Sequence, residues 1–307
     1  MTNKFTEHVE TGWLPDGKRF ALRHGPIDLV IEATGNVDQV ALAYQQAATA
    51  FETVLTNLVV ELDILRKPLG PAQPILQGEI AQNMYRATSK IAGSLFASPM
   101  ISVAGAVADY ILAAMKAGTS LERAYVNNGG DIALYLSNEA HFDIGICADI
   151  ETGEIMSKAH IASDHKVGGI ATSGWQGRSH SLGIADAVTV LAKNAASADV
   201  AATLIANAID LPNHAEITRV PASELSPDSD LGHRPVTVAV GMLQDHEIEL
   251  ALSRGRALAS SMIGHGHIEA VFANLRGQTF NQGACQNVLR GETSHPSNMA
   301  SKELVYA

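Results

Sequence analysis

Residues 124–136 read Ala124-Tyr125-Val126-Asn127-Asn128-Gly129-Gly130-Asp131-Ile132-Ala133-Leu134-Tyr135-Leu136. Two short runs rich in apolar, β-branched and aromatic side chains flank an Asn-Gly step, a strong turn signal. From here on the chain changes texture. Further short apolar runs follow at 142–148, 155–161 and 185–191, separated by turn residues, and they read as neighbouring strands of a sheet. Downstream lie a helix over 197–209, a strand over 215–220, a polar turn at 226–230, a strand over 235–243, a helix over 247–263 and a strand over 268–275.

Upstream the period is helical. Ser98-Pro99 is a start signal, serine capping and proline at the first helical position, for a helix that Gly118 closes. A second helix covers 78–95. Residues 67–74 hold three prolines and read as a surface crossing. Before them Asn36 caps a helix running to Leu65, with Val40, Ala43, Ala47, Phe51, Val54, Leu58 and Leu62 at steps of three or four. Residues 19–33 give two strands around His24-Gly25-Pro26. The sum is an α+β layered domain, helices on one side of largely antiparallel strands. The expectation is one domain over 1–307, with a division left open between about 1–75, joined to the later sheet, and a core over 76–280. Residues 284–307 read as a loosely ordered tail.

Composition supports a packed interior of small side chains. Of 307 residues, 46 are alanine and 26 glycine; 46% are hydrophobic and only 5% aromatic. This excludes a disordered chain, and the two cysteines, Cys147 and Cys285, are too few for a disulfide scaffold. With 21 basic against 32 acidic side chains the net charge is −11, which argues against a nucleic-acid partner. Residues 1–10 carry no apolar signal core, and the longest apolar stretch, 101–115, is interrupted by Asp109. The expectation is a cytoplasmic protein with no membrane partner.

Four segments carry side chains suited to chemistry. Gly129-Gly130 lets a backbone approach a ligand or simply turn, and Asp131 after it suits a ribose hydroxyl, an amide or a metal. Gly168-Gly169-Ile170-Ala171-Thr172-Ser173-Gly174 reads either as a donor-rich phosphate cradle or as a glycine-rich strand edge. His180 sits in Gly177-Arg178-Ser179-His180-Ser181, suited to anion handling or proton transfer. Asp199 and Thr203 are four apart on a helix and share a face. They read either as two hard oxygen ligands for Mg²⁺ or as a capped first turn. His265 and His267 lack a third ligand and read as structural, and Asp228 and Asp230 as a solvated turn.

In their order along the chain these segments resemble the ApbE-like flavin transferase superfamily, over roughly residues 100–209. The full chain looks closer to its UPF0280 branch, through Ser-Pro-Met and Val-Ala-Gly-Ala-Val-Ala-Asp within 98–109 and Asp-Ser-Asp-Leu-Gly-His-Arg-Pro-Val at 228–236. The resemblance implies an ApbE-like, T-fold-related architecture and cleavage of FAD with transfer of FMN to a protein threonine, using Mg²⁺. On it, Asp199 and Thr203 match the metal pair. Gly129, Gly130, Thr172, Ser173 and Gly174, with Asp131, match segments lining the flavin and its phosphates. His180 matches a histidine near the pyrophosphate, and Asp109 an acid bordering the nucleotide.

Two departures stand out. The transferases' Ala-Lys-Gly is here Val103-Ala104-Gly105, without the lysine, for which Arg178 is a candidate replacement. Their Ile-Ile-Asp-Pro-x-Thr-Gly is replaced by Ser181-Leu182-Gly183-Ile184-Ala185-Asp186. The leading expectation is therefore a Mg²⁺-dependent flavin or nucleotide-diphosphate transferase or hydrolase. Its ligand is a flavin nucleotide, FAD or FMN, with a protein acceptor and a homodimer left open. The alternative is a non-catalytic flavin or small-ligand binder on the same scaffold. A hydrolase built on Ser173 or Ser179 ranks last, since no G-x-S-x-G elbow exists.

Overall fold

A computed structural model describes residues 8–149, 154–283 and 304–306. The hairpin at 124–136 forms as expected: β4 (Leu121–Asn128) and β5 (Asp131–Leu136) pair antiparallel with Asn128 opposite Asp131. The turn works because Gly129 adopts φ +66°, open to a residue without a Cβ, while Asn127 Oδ1 accepts from the Gly130 N–H at 2.8 Å.

Around this hairpin grows a nine-stranded sheet in which every pairing is antiparallel. On one side stand β3 (Ile27–Gly35), β2 (Phe20–His24) and β1 (Glu10–Trp13); on the other β8 (Gly169–Ser173), β9 (Ala187–Ala192), β12 (Ala270–Leu275) and β13 (Gln278–Gly283). The 169–173 segment is thus a strand inside the sheet, paired along its length with β9 and with β5 at Gly169 and Ile170. The side chains alternate across the pleat: Ala133, Ala171, Val190 and Ala273 face one core, Ile132, Ile170, Leu191 and Phe272 the other.

The first core is closed by helices α1 (Val37–Phe51), α2 (Val54–Val60), α3 (Leu62–Leu65), α4 (Glu79–Ala92), α5 (Val103–Lys116), α6 (Ala195–Ala208) and α8 (Asp245–Gly264). The second is closed by β6 (His141–Asp149) and β7 (Glu154–Ala162), whose Phe142, Ile144, Ala159 and Ile161 pack onto the sheet. These two segments therefore form a separate small sheet lying across the large one, not further strands beside β5. A last strand, β14 (Leu304–Tyr306), adds parallel to β6, so this part of 284–307 is ordered strand; the rest of that tail lies outside the described residues. Three further short elements are the antiparallel pair β10 (Ile217–Pro221) and β11 (Pro235–Val240), and between them α7 (Ala222–Leu225).

One helix expectation changes. Asn36 caps α1, accepting from Asp38 N, but the helix breaks near Thr53 and again at Glu61. The β-branched residues 53, 54, 56, 59 and 60 weaken continuous helix. At the second break the buried Glu61 carboxylate is claimed by another element: it accepts from Gln77 N and Gly78 N at 2.7 and 2.8 Å, capping the start of α4.

Candidate active site between two helix starts

Helices α5 and α6 begin side by side, and each is capped by an acid from the other. Asp109 on α5 accepts from Ala195 N and Ala196 N, both at 2.9 Å. Asp199 on α6 accepts from Gly105 N at 3.0 Å. Each carboxylate thereby satisfies N–H groups that a helix start leaves open, and faces the positive end of the macrodipole. The closeness rests on two glycines. A Cβ at Gly105 would fall on the Ala195 carbonyl, and one at Gly169 on the Ala195 amide, so α6 lies against α5 and β8 with no room for a methyl. The Gly168-Gly169 pair therefore serves this contact.

The start of α5 opens onto a cleft of about 630 Å³. Its floor carries Asp131, Asp199 and Thr203; its walls carry Arg178, His180, Arg66 and Phe96, and the segment 225–231 closes one side. Of the expected site residues, Asp131, His180, Asp199 and Thr203 thus converge, although Asp131 and Thr203 lie 72 residues apart in sequence. Gly129 sits just beneath, its Cβ position 2.7 Å from Arg178 Nη1, so the turn makes room for the guanidinium. Neither Gly130, Thr172, Ser173 nor Gly174 is among the described residues lining the cleft. Thr172 points to the hairpin side of the sheet and shares a hydrogen bond with Thr189 at 2.8 Å. Gly174 packs against the Asp186 carbonyl. Asp109 is spent as a helix cap and does not border the cleft.

Two features went unread in the sequence. The 226–230 turn, expected to be solvated, is a wall of the cleft. Asp230 accepts from Ser98 Oγ, and Ser226 Oγ lies 3.2 Å from His180 Nε2. Asn207, also lining the cleft, accepts from Leu182 N and Ser181 Oγ and so fixes the strand of chain after His180. The helical spacing of Thr203 and Asn207, four residues apart, was the available signal. Phe96 is the aromatic ring among the described lining residues, and the guanidinium of Arg234 lies over its face, 3.4 Å from the centroid. His265 and His267 stack on each other away from these residues, consistent with a structural place.

Electrostatics mark the acids. Burial, then repulsion from Asp199, pushes the Asp131 carboxyl well above the usual carboxylate range, against the pull of the Thr172 N–H and Arg178. Burial likewise pushes Asp199 up to about 7, with Asp109 adding and the Gly105 and Ala104 N–H groups subtracting. Two carboxylates desolvated together and repelling each other, beside a hydroxyl, form a hard-oxygen donor set. That set fits a divalent cation such as Mg²⁺. A carboxylate has lone pairs enough to hold one N–H and still face a cation.

A family model described as AbpE bacteria matches residues 11–281. The UPF0280 protein of Methanothermobacter thermautotrophicus is 35% identical over 188 residues, 58% of this chain and 68% of that protein. The UPF0280 protein of Methanocaldococcus jannaschii is 35% identical over 164 residues, 52% of this chain. The match spans less than two thirds of the Methanocaldococcus and Methanothrix thermoacetophila relatives, 65% and 49% of their lengths. Among solved structures, the apo flavinyl transferase ApbE of Pseudomonas stutzeri is 14% identical, with 94% of this chain and 99% of that one covered and a TM-score of 0.41. The flavin transferase ApbE of Vibrio cholerae is 13% identical, with 92% and 98% covered and a TM-score of 0.36. The chain belongs to the ApbE-like family, in its UPF0280 branch.

Proposed function

We propose that the cleft is a Mg²⁺-dependent site for a flavin dinucleotide, cleaving its diphosphate and passing FMN to an acceptor hydroxyl or to water. The carrying observation is the convergence of Asp131, Asp199, Thr203, Arg178 and His180 on one cleft at the start of α5. Asp131, Asp199 and Thr203 would hold Mg²⁺, which when bound neutralises charge developing on the diphosphate. The Arg178 guanidinium then receives phosphate oxygens. Arg178 takes over the charge that a lysine would supply at Ala104. His180, within reach of Ser226, moves a proton at the attacking or leaving oxygen. The P–O bond to AMP breaks as the P–O bond to the acceptor forms, and the acceptor proton leaves on a base.

Purified protein with FAD and Mg²⁺ is expected to release AMP, with FMN free or on an acceptor peptide. Absence of both products over days, with flavin still bound, would instead favour a flavin-binding role without turnover. One observation supports that second reading: the transferases' Ala-Lys-Gly and Ile-Ile-Asp-Pro-x-Thr-Gly are replaced by Val103-Ala104-Gly105 and Ser181-Leu182-Gly183-Ile184-Ala185-Asp186.

A further inference from the structure

On the far side of the large sheet, the outer face of the β6–β7 hairpin gathers three metal-ligating side chains. His141 and Asp143 are alternate residues of β6, and His160 of β7 stands directly opposite Asp143. The pleat therefore presents all three on one face, while Phe142, Ile144 and Ile161 on the reverse face are buried. One ligating atom from each lies within 4.8 Å of the others. The imidazole rings are 4.9 Å apart, and His160 Nδ1 is 2.8 Å from Asp143 Oδ1. All three side chains are exposed to solvent. β6 is the central strand of its small sheet, held by β7 on one side and β14 on the other. Asp143 thus stands on backbone paired on both sides, and His141 and His160 on backbone paired within the hairpin, which holds a site more closely than a loop does.

We propose that His141, Asp143 and His160 form a binding site for a borderline transition-metal ion of the zinc class, separate from the cleft. Two imidazoles and one carboxylate suit Zn²⁺, Ni²⁺ or Co²⁺, whereas Asp131, Asp199 and Thr203 in the cleft offer only oxygens and suit Mg²⁺. Tetrahedral ligands at zinc stand about 3.4 Å apart, so side-chain rotation has roughly 1 Å to close from the separations seen. The ion takes the place of the hydrogen bond between Asp143 and His160. Three protein ligands leave a position open for water or for a side chain of another molecule.

The test is a Co²⁺ titration of the full chain without a polyhistidine tag, in excess Mg²⁺ to fill the cleft, read by visible absorption. The expected result is a d–d band saturating at one ion per chain, erased by Zn²⁺ and retained in D131N. H141A and H160A each weaken binding about tenfold or more, with circular dichroism unchanged. H141Q and H160Q read the same loss should an alanine variant unfold. Absence of a saturable band in the parent, or parent-like binding in the histidine variants, overturns the site.

Discussion

The two faces of the large sheet are packed in opposite ways. Toward the helices the interior strands present Ala133, Ala171, Ala192 and Ala273 among Val188, Val190 and Val271, and α6 answers with Ala198, Ala201 and Ala202. Toward the hairpin they present Ile132, Ile170, Leu191 and Phe272, met by Phe142, Ile144 and Ile161. Small side chains bring backbones together, and backbones bring N–H groups and carboxylates together; large ones fill space. The helix side is therefore where the start of a helix can be placed against an acid within 3.0 Å. The hairpin side seals the sheet and leaves its polar side chains on the outside.

The sharpest way to break this contrast is D199N. If the acid at the helix starts holds the cation, AMP release from FAD drops about a hundredfold or more and the thermal shift on adding Mg²⁺ disappears, with secondary structure intact. Parent-like turnover would sink the placement of the cation. Next come single methyl groups. G105A adds one carbon where the Ala195 carbonyl stands and costs about 1–3 kcal/mol. I161V removes one on the hairpin side and costs about 0.5–1.5 kcal/mol. Urea unfolding should rank them in that order, and only G105A should also weaken the Mg²⁺ shift. The reverse ranking would show that close approach is not what the small residues secure.

A smaller effect concerns Asp109. Burial holds its carboxyl at about 6 against an ordinary value of 3.8. The folded protein keeps this proton where the unfolded chain has lost it. The contribution is complete below pH 3.8 and gone above about 6, so stability falls as pH rises through that window. Relative to the parent, D109N should gain stability from pH 3.8 to about 6 in metal-free protein; a pH-independent difference would remove Asp109 from the role of buried cap. Smallest is R234A. It uncovers Phe96 and should tighten flavin binding a few-fold, with a stability change under about 1 kcal/mol, measured by fluorescence titration.

Much of this arrangement was legible in the residues. The turn Asn127-Asn128-Gly129-Gly130 marks β4 and β5 because a tight turn demands a residue free of Cβ, and Ser98-Pro99 marks the start of the helical stretch because both act locally. Asp199 and Thr203 could be paired because helical spacing puts them on one face. What could not be read was partnership across the chain. Thr172, Ser173 and Gly174 look like phosphate donors by composition, yet the Thr172 hydroxyl is bonded to Thr189 and Gly174 lies against the Asp186 carbonyl, while Gly169 makes room for the start of α6. Asp109 looks like a ligand-facing acid, yet its partners are two amides 86 and 87 residues away. Asp228 and Asp230 look solvated because nothing nearby in sequence shows that Ser98 and His180 stand against their turn.

The exchange of caps between α5 and α6 also bears on the order of assembly. Its bonds join residues 94 and 86 apart in the chain, so neither helix start is complete until both have been made and docked. Contacts of such span form late, after shorter loops have closed. A nascent chain that has reached β9 but not α6 would carry α5 with its first amides unanswered and no cleft at all. Binding competence should therefore arise in a single late step, and hydrogen exchange at the Gly105 and Ala195 amides should slow together, as one unit.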